Sequence, residues 1–193
     1  MRVVAGRFRG RPLVAPDDAG IRPTSDRVRE SAFNILAHGL GDFSIEGRRV
    51  IDLFAGTGAL GIEALSRGAS YCLFVEEAAD ARALIRRNVE AFGLTGETRF
   101  FRRDATDLGP AGNVKPYGLA FLDPPYGKGL GEKALAGLAA GGWLTPGAIT
   151  VFEEKAGATI SVPAEFSTLD SRTWGETEVR FLSFSPKVHE KRE

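Results

Sequence analysis

Gly56, Gly58 and Gly61 stand in the spacing G-x-G-x-x-G between an apolar run at residues 50–54 and a helical stretch through Ile62, Ala64 and Leu65. A strand that passes into a helix through these glycines leaves little choice of fold, because the turn must bend tightly and admit a ligand against bare backbone. The same rhythm continues downstream. Residues 71–75 read as a second strand and 81–92 as a second helix, with Gly93 placed to end it. Residues 99–103 form a third strand, 119–122 a fourth, 133–140 a third helix and 148–152 a fifth strand. This alternation predicts an α/β domain with a mostly parallel sheet and helices on both faces. Residues 167–173 and 179–184 break the rhythm, and joined by a turn at Trp174-Gly175-Glu176 they predict a hairpin at the sheet edge.

Ahead of this core, Arg7-Phe8-Arg9-Gly10-Arg11 alternates in steps of two, so a strand here would carry three guanidinium groups on one face. Such a face suits a phosphate backbone; an edge strand guarded against aggregation by its charges is the alternative. A helix begins after Thr24 or Ser25, either of which can cap it, with Asp26 at the positive end of its dipole. Val28, Ala32, Ile35 and Leu36 recur at helical spacing and are expected to pack on the body, leaving Arg27 and Arg29 to face outward. Residues 39–47 read as a loop.

A chain of 193 residues with 43% apolar content can bury one sizeable core and is too short for two ordinary domains with linkers. One domain over 1–193 is expected: an N-terminal extension at 1–47, a core at 48–186 and a charged, frayed tail at 187–193. No stretch approaches the roughly 18 apolar residues of a membrane span, and the N-terminus lacks the apolar centre of a signal peptide, so a cytoplasmic location is expected. With Cys72 as its one cysteine and only His38 and His189, the chain offers neither an internal disulfide nor the pattern of a metal centre. Zero net charge argues against a uniformly basic nucleic-acid binder, yet residues 1–11 hold Arg2, Arg7, Arg9 and Arg11 without an acid.

Glu76 ends the second strand 20 residues after Gly56, where an acid can accept both hydroxyl hydrogens of a ribose. That signal fits either a nicotinamide cofactor or S-adenosylmethionine. Two details favour the methyl donor. Asp52 precedes the glycine turn by four residues, and a negative charge near the site entrance would oppose a pyrophosphate but suit a cationic methionine moiety. After the third strand, Asp104-Ala105 offers a carboxylate for an adenine amino group, with a helix or turn cap as the alternative. The expected cofactor pocket is therefore Asp52, Phe54, Gly56, Thr57, Gly58, Glu76, Asp104 and Ala105.

The most specific motif is Asp123-Pro124-Pro125-Tyr126, directly after the fourth strand. Two prolines fix two backbone angles and remove two amide donors, so the segment cannot continue as a central strand. An exocyclic amino nitrogen is a poor nucleophile because its lone pair is delocalised into the ring. If the Asp123 carboxylate and the Pro124 carbonyl each accept one of its hydrogens, the lone pair can turn toward a donor methyl while Tyr126 stacks on the base. This chemistry fits guanine N2, adenine N6 and cytosine N4 equally. Residues 127–131, rich in glycine, read as a lid or as a flexible loop. A nicotinamide-dependent oxidoreductase and a non-catalytic assembly factor remain the readings from other classes.

With both motifs read, the chain resembles the RsmD family of bacterial small-subunit ribosomal RNA guanine-N2 methyltransferases. The resemblance rests on residues 2–10, the run Arg22-Pro23-Thr24-Ser25-Asp26-Arg27-Val28-Arg29-Glu30 with Phe33-Asn34, residues 52–68, the Asp-Pro-Pro-Tyr motif and the hairpin at 172–180. It implies a Rossmann-like class I methyltransferase fold with a seven-stranded sheet, S-adenosylmethionine as cofactor, and a guanine of small-subunit ribosomal RNA as target, in an assembled or partly assembled particle. On that reading Arg7, Arg9, Arg11, Arg22, Arg27 and Arg29 contact the RNA. Ala78 departs from the family's pattern, which often has a second acid two residues after the position of Glu76.

Overall fold

The computed structural model describes residues 1–15 and 26–187. The expected cap at Thr24 or Ser25, Arg22 and the tail from 188 onward lie outside the described residues. The elements run α1 (Asp26–His38), β1 (Arg49–Leu53), α2 (Ala59–Ser66), β2 (Tyr71–Val75), α3 (Ala79–Ala91), β3 (Thr98–Phe101), β4 (Tyr117–Leu122), α4 (Leu130–Ala140), β5 (Leu144–Lys155), β6 (Phe166–Trp174) and β7 (Thr177–Phe184). One seven-stranded sheet has the order β3-β2-β1-β4-β5-β7-β6. Its first five strands are parallel, while β7 runs antiparallel to both β5 and β6. The α/β reading and the terminal hairpin stand as expected from the sequence.

Strand alternation divides the apolar residues between two layers. Val50, Phe74 and Phe121 pack with Phe33 and Leu36 of α1, Ile62 and Leu65 of α2, and Ile85 and Val89 of α3. Ile51, Leu53, Val75, Leu122 and Phe152 pack with Leu135 and Leu138 of α4 and with Trp143. Helix α3 closes as Gly93 implied: Gly93 takes φ +68°, the Gly93 N–H donates to the Glu90 carbonyl and that of Leu94 to the Val89 carbonyl.

The sheet reverses its winding between β1 and β4. In an open parallel sheet this is where a crevice forms outside the carboxyl ends. Register places the strand ends at one level: Leu53 pairs with Val75 and Leu122, Val75 with Phe101, and Leu122 with Phe152. The residues that follow, Phe54, Glu76 and Asp123, therefore leave the sheet side by side, level with Glu153 of β5, which stays paired with Val179 of β7.

Two expectations for the N-terminal part need correction. Residues 7–11 are not a strand. Gly6 and Gly10 take φ +80° and +82°, a 3-10 turn spans Gly6–Phe8, and the segment folds back on itself through Val3 N–H to the Arg11 carbonyl and Gly10 N–H to the Val3 carbonyl. Arg7 pairs with Glu97, and Arg11 lies over the Phe92 ring and donates to the Ala91 carbonyl. Three guanidiniums therefore do not share one strand face.

Nor does Arg29 face outward: it is 1% exposed. The buried face of α1 is Arg29, Ala32, Phe33 and Leu36, one residue on from the stripe that Val28 suggested. Burial is tolerated because Arg29 donates to the Arg2 carbonyl and to Asp26, and lies 3.9 Å from the buried carboxylate of Glu63. Glu63 in turn accepts the N–H groups of Val4 and Ala5 and the Arg67 guanidinium. The extension is thus stitched to α2 through buried polar groups.

Candidate active site

The turn after β1 uses its glycines for different reasons. Gly56 has φ +55°, and a Cβ there would meet only the Phe54 carbonyl oxygen, at 3.9 Å, which leaves its backbone approachable by a ligand. Gly58, at φ +76°, precedes α2, and a Cβ there would lie 3.0 Å from Ile85. At Gly61 a Cβ would fall 2.4 Å from the Phe74 ring and 2.6 Å from the Cys72 sulfur, so this glycine is demanded by helix-on-sheet packing. Between strand and glycines, Phe54 adopts φ +58°, the only positive value at a non-glycine among the described residues. Strain of this kind gathers at ligand sites.

Glu76 leaves β2 beside this turn. Its carboxylate accepts the Gly56 N–H at 2.9 Å and the Ala78 N–H at 2.8 Å, which aims it at the turn. Each carboxylate oxygen keeps a further lone pair, so two ribose hydroxyls can still be taken. Thr57 is tied from behind: the fully buried Asn88 amide donates to its carbonyl and exchanges two bonds with the backbone of Val14.

Asp52 is not at the site entrance, as its sequence position suggested. It is 1% exposed, on the side of β1 that faces α2, and accepts the Gly61 N–H at 3.0 Å. Burial raises its pKa well above the usual carboxylate range, the Gly61 bond opposes this, and the charges of Asp123 and Glu76 add to the rise. Burial and the neighbouring acids thus favour the protonated form of Asp52, whose carboxyl holds the start of α2 through Gly61.

Asp104 is exposed, and one of its oxygens accepts both the N–H and the hydroxyl of Thr106, which lowers its pKa. The turn-cap role weighed from the sequence is therefore present. Ala105 beside it is buried.

At the end of β4 Asp123 is half-buried, Pro124 buried, Pro125 exposed and Tyr126 half-buried. The Tyr126 hydroxyl bonds Glu153, two residues before the end of β5, and lies 3.0 Å from the Thr177 hydroxyl at the start of β7. Burial, then the bond to Glu153, push the Tyr126 hydroxyl pKa above its ordinary value, so it stays protonated. The next residue, Gly127, donates its N–H to Glu154 at 3.0 Å. The presumed loop at 127–131 is shorter than its composition suggested, because α4 starts at Leu130. Gly131 is inside that helix, where a Cβ would strike the Phe152 ring at 2.2 Å.

The structure thus brings Gly56, Glu76 and Asp123 to one end of the sheet. It does not bring Arg7 or Arg11 there: they contact Glu97, which precedes β3, and Ala91, the last residue of α3, at the opposite end. The contributions of Asn88, Glu153, Glu154 and Thr177 were missed. Only the adjacent pair Glu153-Glu154 inside an apolar strand could have drawn notice.

Fold and site define a Rossmann-like S-adenosylmethionine-dependent methyltransferase. The family model described as conserved hypothetical protein 95 matches residues 1–183, and the chain belongs to this family, the RsmD family of small-subunit ribosomal RNA methyltransferases. Ribosomal RNA small subunit methyltransferase D of Escherichia coli K12 is 35% identical over 181 residues, covering 93% of this chain and 88% of the relative. The protein of that name from Haemophilus influenzae is 32% identical over 182 residues, covering 93% and 92%. Among solved structures, the Escherichia coli methyltransferase yhhF superposes with TM-score 0.82 at 32% identity, covering 97% of this chain and 99% of the other. At 15% identity, an RNA methyltransferase from Salinibacter ruber in complex with S-adenosyl-L-homocysteine shares the fold, with TM-score 0.64 over 89% of this chain and 99% of the other.

Proposed function

We propose that this chain transfers a methyl group from S-adenosylmethionine to the exocyclic N2 of a guanine in small-subunit ribosomal RNA. The observation that carries this reading is the common level of the glycine turn, Glu76 and Asp123 at the carboxyl ends of β1, β2 and β4. A cofactor held by the first two lies beside the third. The fit is supported by the uncrowded backbone at Gly56 and by the Glu76 carboxylate beside it.

When bound, S-adenosylmethionine supplies an electrophilic methyl on a cationic sulfur, which keeps the bonding electron pair and leaves as a neutral thioether. The chain's own residues prepare the nucleophile. Asp123 and the Pro124 carbonyl each accept one amino hydrogen, which turns the nitrogen toward tetrahedral geometry and aims its lone pair. Tyr126 stacks on the base. Positive charge developing on nitrogen is stabilised by the Asp123 carboxylate and the carbonyl dipole, and the methylated nitrogen, now strongly acidic, then releases its extra proton to Asp123 or water, so no separate strong base is needed.

Relatives bearing the small-subunit ribosomal RNA name over nearly the whole chain support the RNA target. Asp104 is assigned to the adenine amino group through its carboxylate, with Ala105 beside the ring. Exposed Arg9 and Arg27 are assigned to phosphates, as are Arg7, Arg11 and Arg22, whereas buried Arg29 is withdrawn from that set. Since Arg7 and Arg11 lie at the end of the sheet away from Asp123, one substrate reaching both ends must be large and folded. An assembled or partly assembled ribosomal particle in the cytoplasm meets that need. Among the described residues no helix is long and apolar enough to cross a membrane.

The test is to incubate the purified protein with tritiated S-adenosylmethionine and small-subunit RNA, naked and in particles, from cells lacking this gene. Appearance of N2-methylguanosine by mass spectrometry supports the reading. Label on adenine or cytosine, or no label, overturns it.

A further inference from the structure

We propose that Glu153 is a positioning residue for the methyl transfer, holding the Tyr126 hydroxyl so that the aromatic ring keeps the plane on which the target base stacks. This rests on the amino-group reading of the site given above.

Register brings the two segments together. Leu122 pairs with Phe152, so Asp123 leaves β4 level with Glu153, while β5 runs on to Lys155 paired with β7, and the chain after Asp123 passes the last residues of β5. Along β5 successive side chains point to opposite faces. Phe152 lies in the α4 layer and Val151 in the layer of α1, α2 and α3, so Glu154 follows the first and Glu153 the second. The two carboxylates therefore grip the passing chain from both sides of the sheet. Glu153 takes the Tyr126 hydroxyl and Glu154 takes the Gly127 N–H.

Both acids are buried, at 8% and 3% exposure, directly after the buried apolar pair Val151-Phe152. Acids are seldom retained there unless a partner needs them. The tyrosine ring is anchored at both extremities: its backbone follows two prolines, and its oxygen is held by Glu153 and, at 3.0 Å, by Thr177 from β7. Both contacts oppose swinging of the ring about its side-chain torsions. The antiparallel hairpin thereby acquires a use at the site, because β7 delivers Thr177 beside Lys155. The hydroxyl is spent on this tether, so Tyr126 contributes a ring face and no proton.

The test uses the full chain with ribosomal particles as substrate, and compares Glu153→Ala, Glu153→Gln, Tyr126→Phe and the double variant Tyr126→Phe/Glu153→Ala. Misplacing a stacked base by about 1 Å lowers turnover by up to about 100-fold. Glu153→Ala is expected to lose kcat by about 10- to 100-fold, with the Kd for S-adenosylmethionine within about twofold of the parent. Glu153→Gln, which still accepts the hydroxyl hydrogen, should recover most of the loss, and the double variant should be no worse than the poorer single. Turnover of a folded Glu153→Ala within about threefold of the parent, independent effects in the double variant, or Glu153→Gln as poor as Glu153→Ala each overturns the proposal.

A second readout does not depend on turnover. In protein labelled at its three tyrosines, the Tyr126 ring signals should be those of an ordered ring in the parent and of an averaging ring in Glu153→Ala. Unchanged ring signals would refute the tether even if the parent protein methylated nothing, an outcome that would count separately against the amino-group reading.

Discussion

The carboxylate of Glu76 and the backbone N–H of Gly56 are 2.9 Å apart, joining the end of β2 to the turn that leaves β1. One acid thus shapes the glycine turn and presents lone pairs to a ribose. Glu76→Ala removes both, and charge-assisted hydrogen bonds of this kind contribute about 1.5–3 kcal/mol each. Titration calorimetry should show S-adenosylmethionine binding weakened by about 10-fold or more, and unaltered affinity would remove Glu76 from the pocket.

Gly61 and Gly137 are both helical, but only Gly61 is closely covered. A Cβ at 61 would meet Phe74 at 2.4 Å, whereas at 137 nothing lies within 4 Å. Gly61→Ala should destabilise by about 1–3 kcal/mol through overpacking. Gly137→Ala should stabilise by about 0.4–1 kcal/mol through the unfolded chain. Chemical denaturation of the two variants decides, and equal shifts would contradict the packing of α2 on β2.

Asp52 gives a pH signature. Its folded pKa is raised, chiefly by burial, so the folded protein holds the proton more tightly than the unfolded chain. Stability from this group is complete below the unfolded carboxylate value near about 4 and is lost as pH rises through the folded pKa. Asp52→Asn keeps an acceptor for the Gly61 N–H without the charge. Relative to the parent it should gain stability as pH rises above about 4. A melting-temperature difference independent of pH would show that Asp52 is not the strained acid described.

Much of this was legible before the structure. Alternating apolar runs mark the strands because a parallel sheet buries both faces of its central members, and the two site motifs are contiguous turns at strand ends. What was not legible depends on partners far apart in sequence. Arg29 reads as a surface arginine until Glu63 and the Arg2 carbonyl are found beneath it. Asn88 reads as a polar helix residue until it meets Val14, 74 residues away. Glu153 reads as an ordinary acid until Tyr126 reaches it from the neighbouring strand. Polar groups buried by long-range contacts leave no local period to find.

The arginines should separate by role. Arg29→Ala should destabilise by about 3 kcal/mol, since it removes a buried cation beside Glu63, and should leave the salt dependence of RNA binding unchanged. Exposed Arg9 and Arg27, if they meet phosphates, should each lower the slope of log affinity against log salt by about 1 when replaced by alanine, with no loss of melting temperature. Filter binding over a salt series distinguishes the two patterns; a reduced slope in Arg29→Ala would contradict its burial.

Single-turnover transfer by Asp123→Ala, with cofactor affinity measured in parallel, tests the site most directly. Loss of the acceptor beside the reacting amino group should slow transfer by about 10²- to 10³-fold while S-adenosylmethionine still binds. Transfer at the parental rate, with binding intact, would contradict the account.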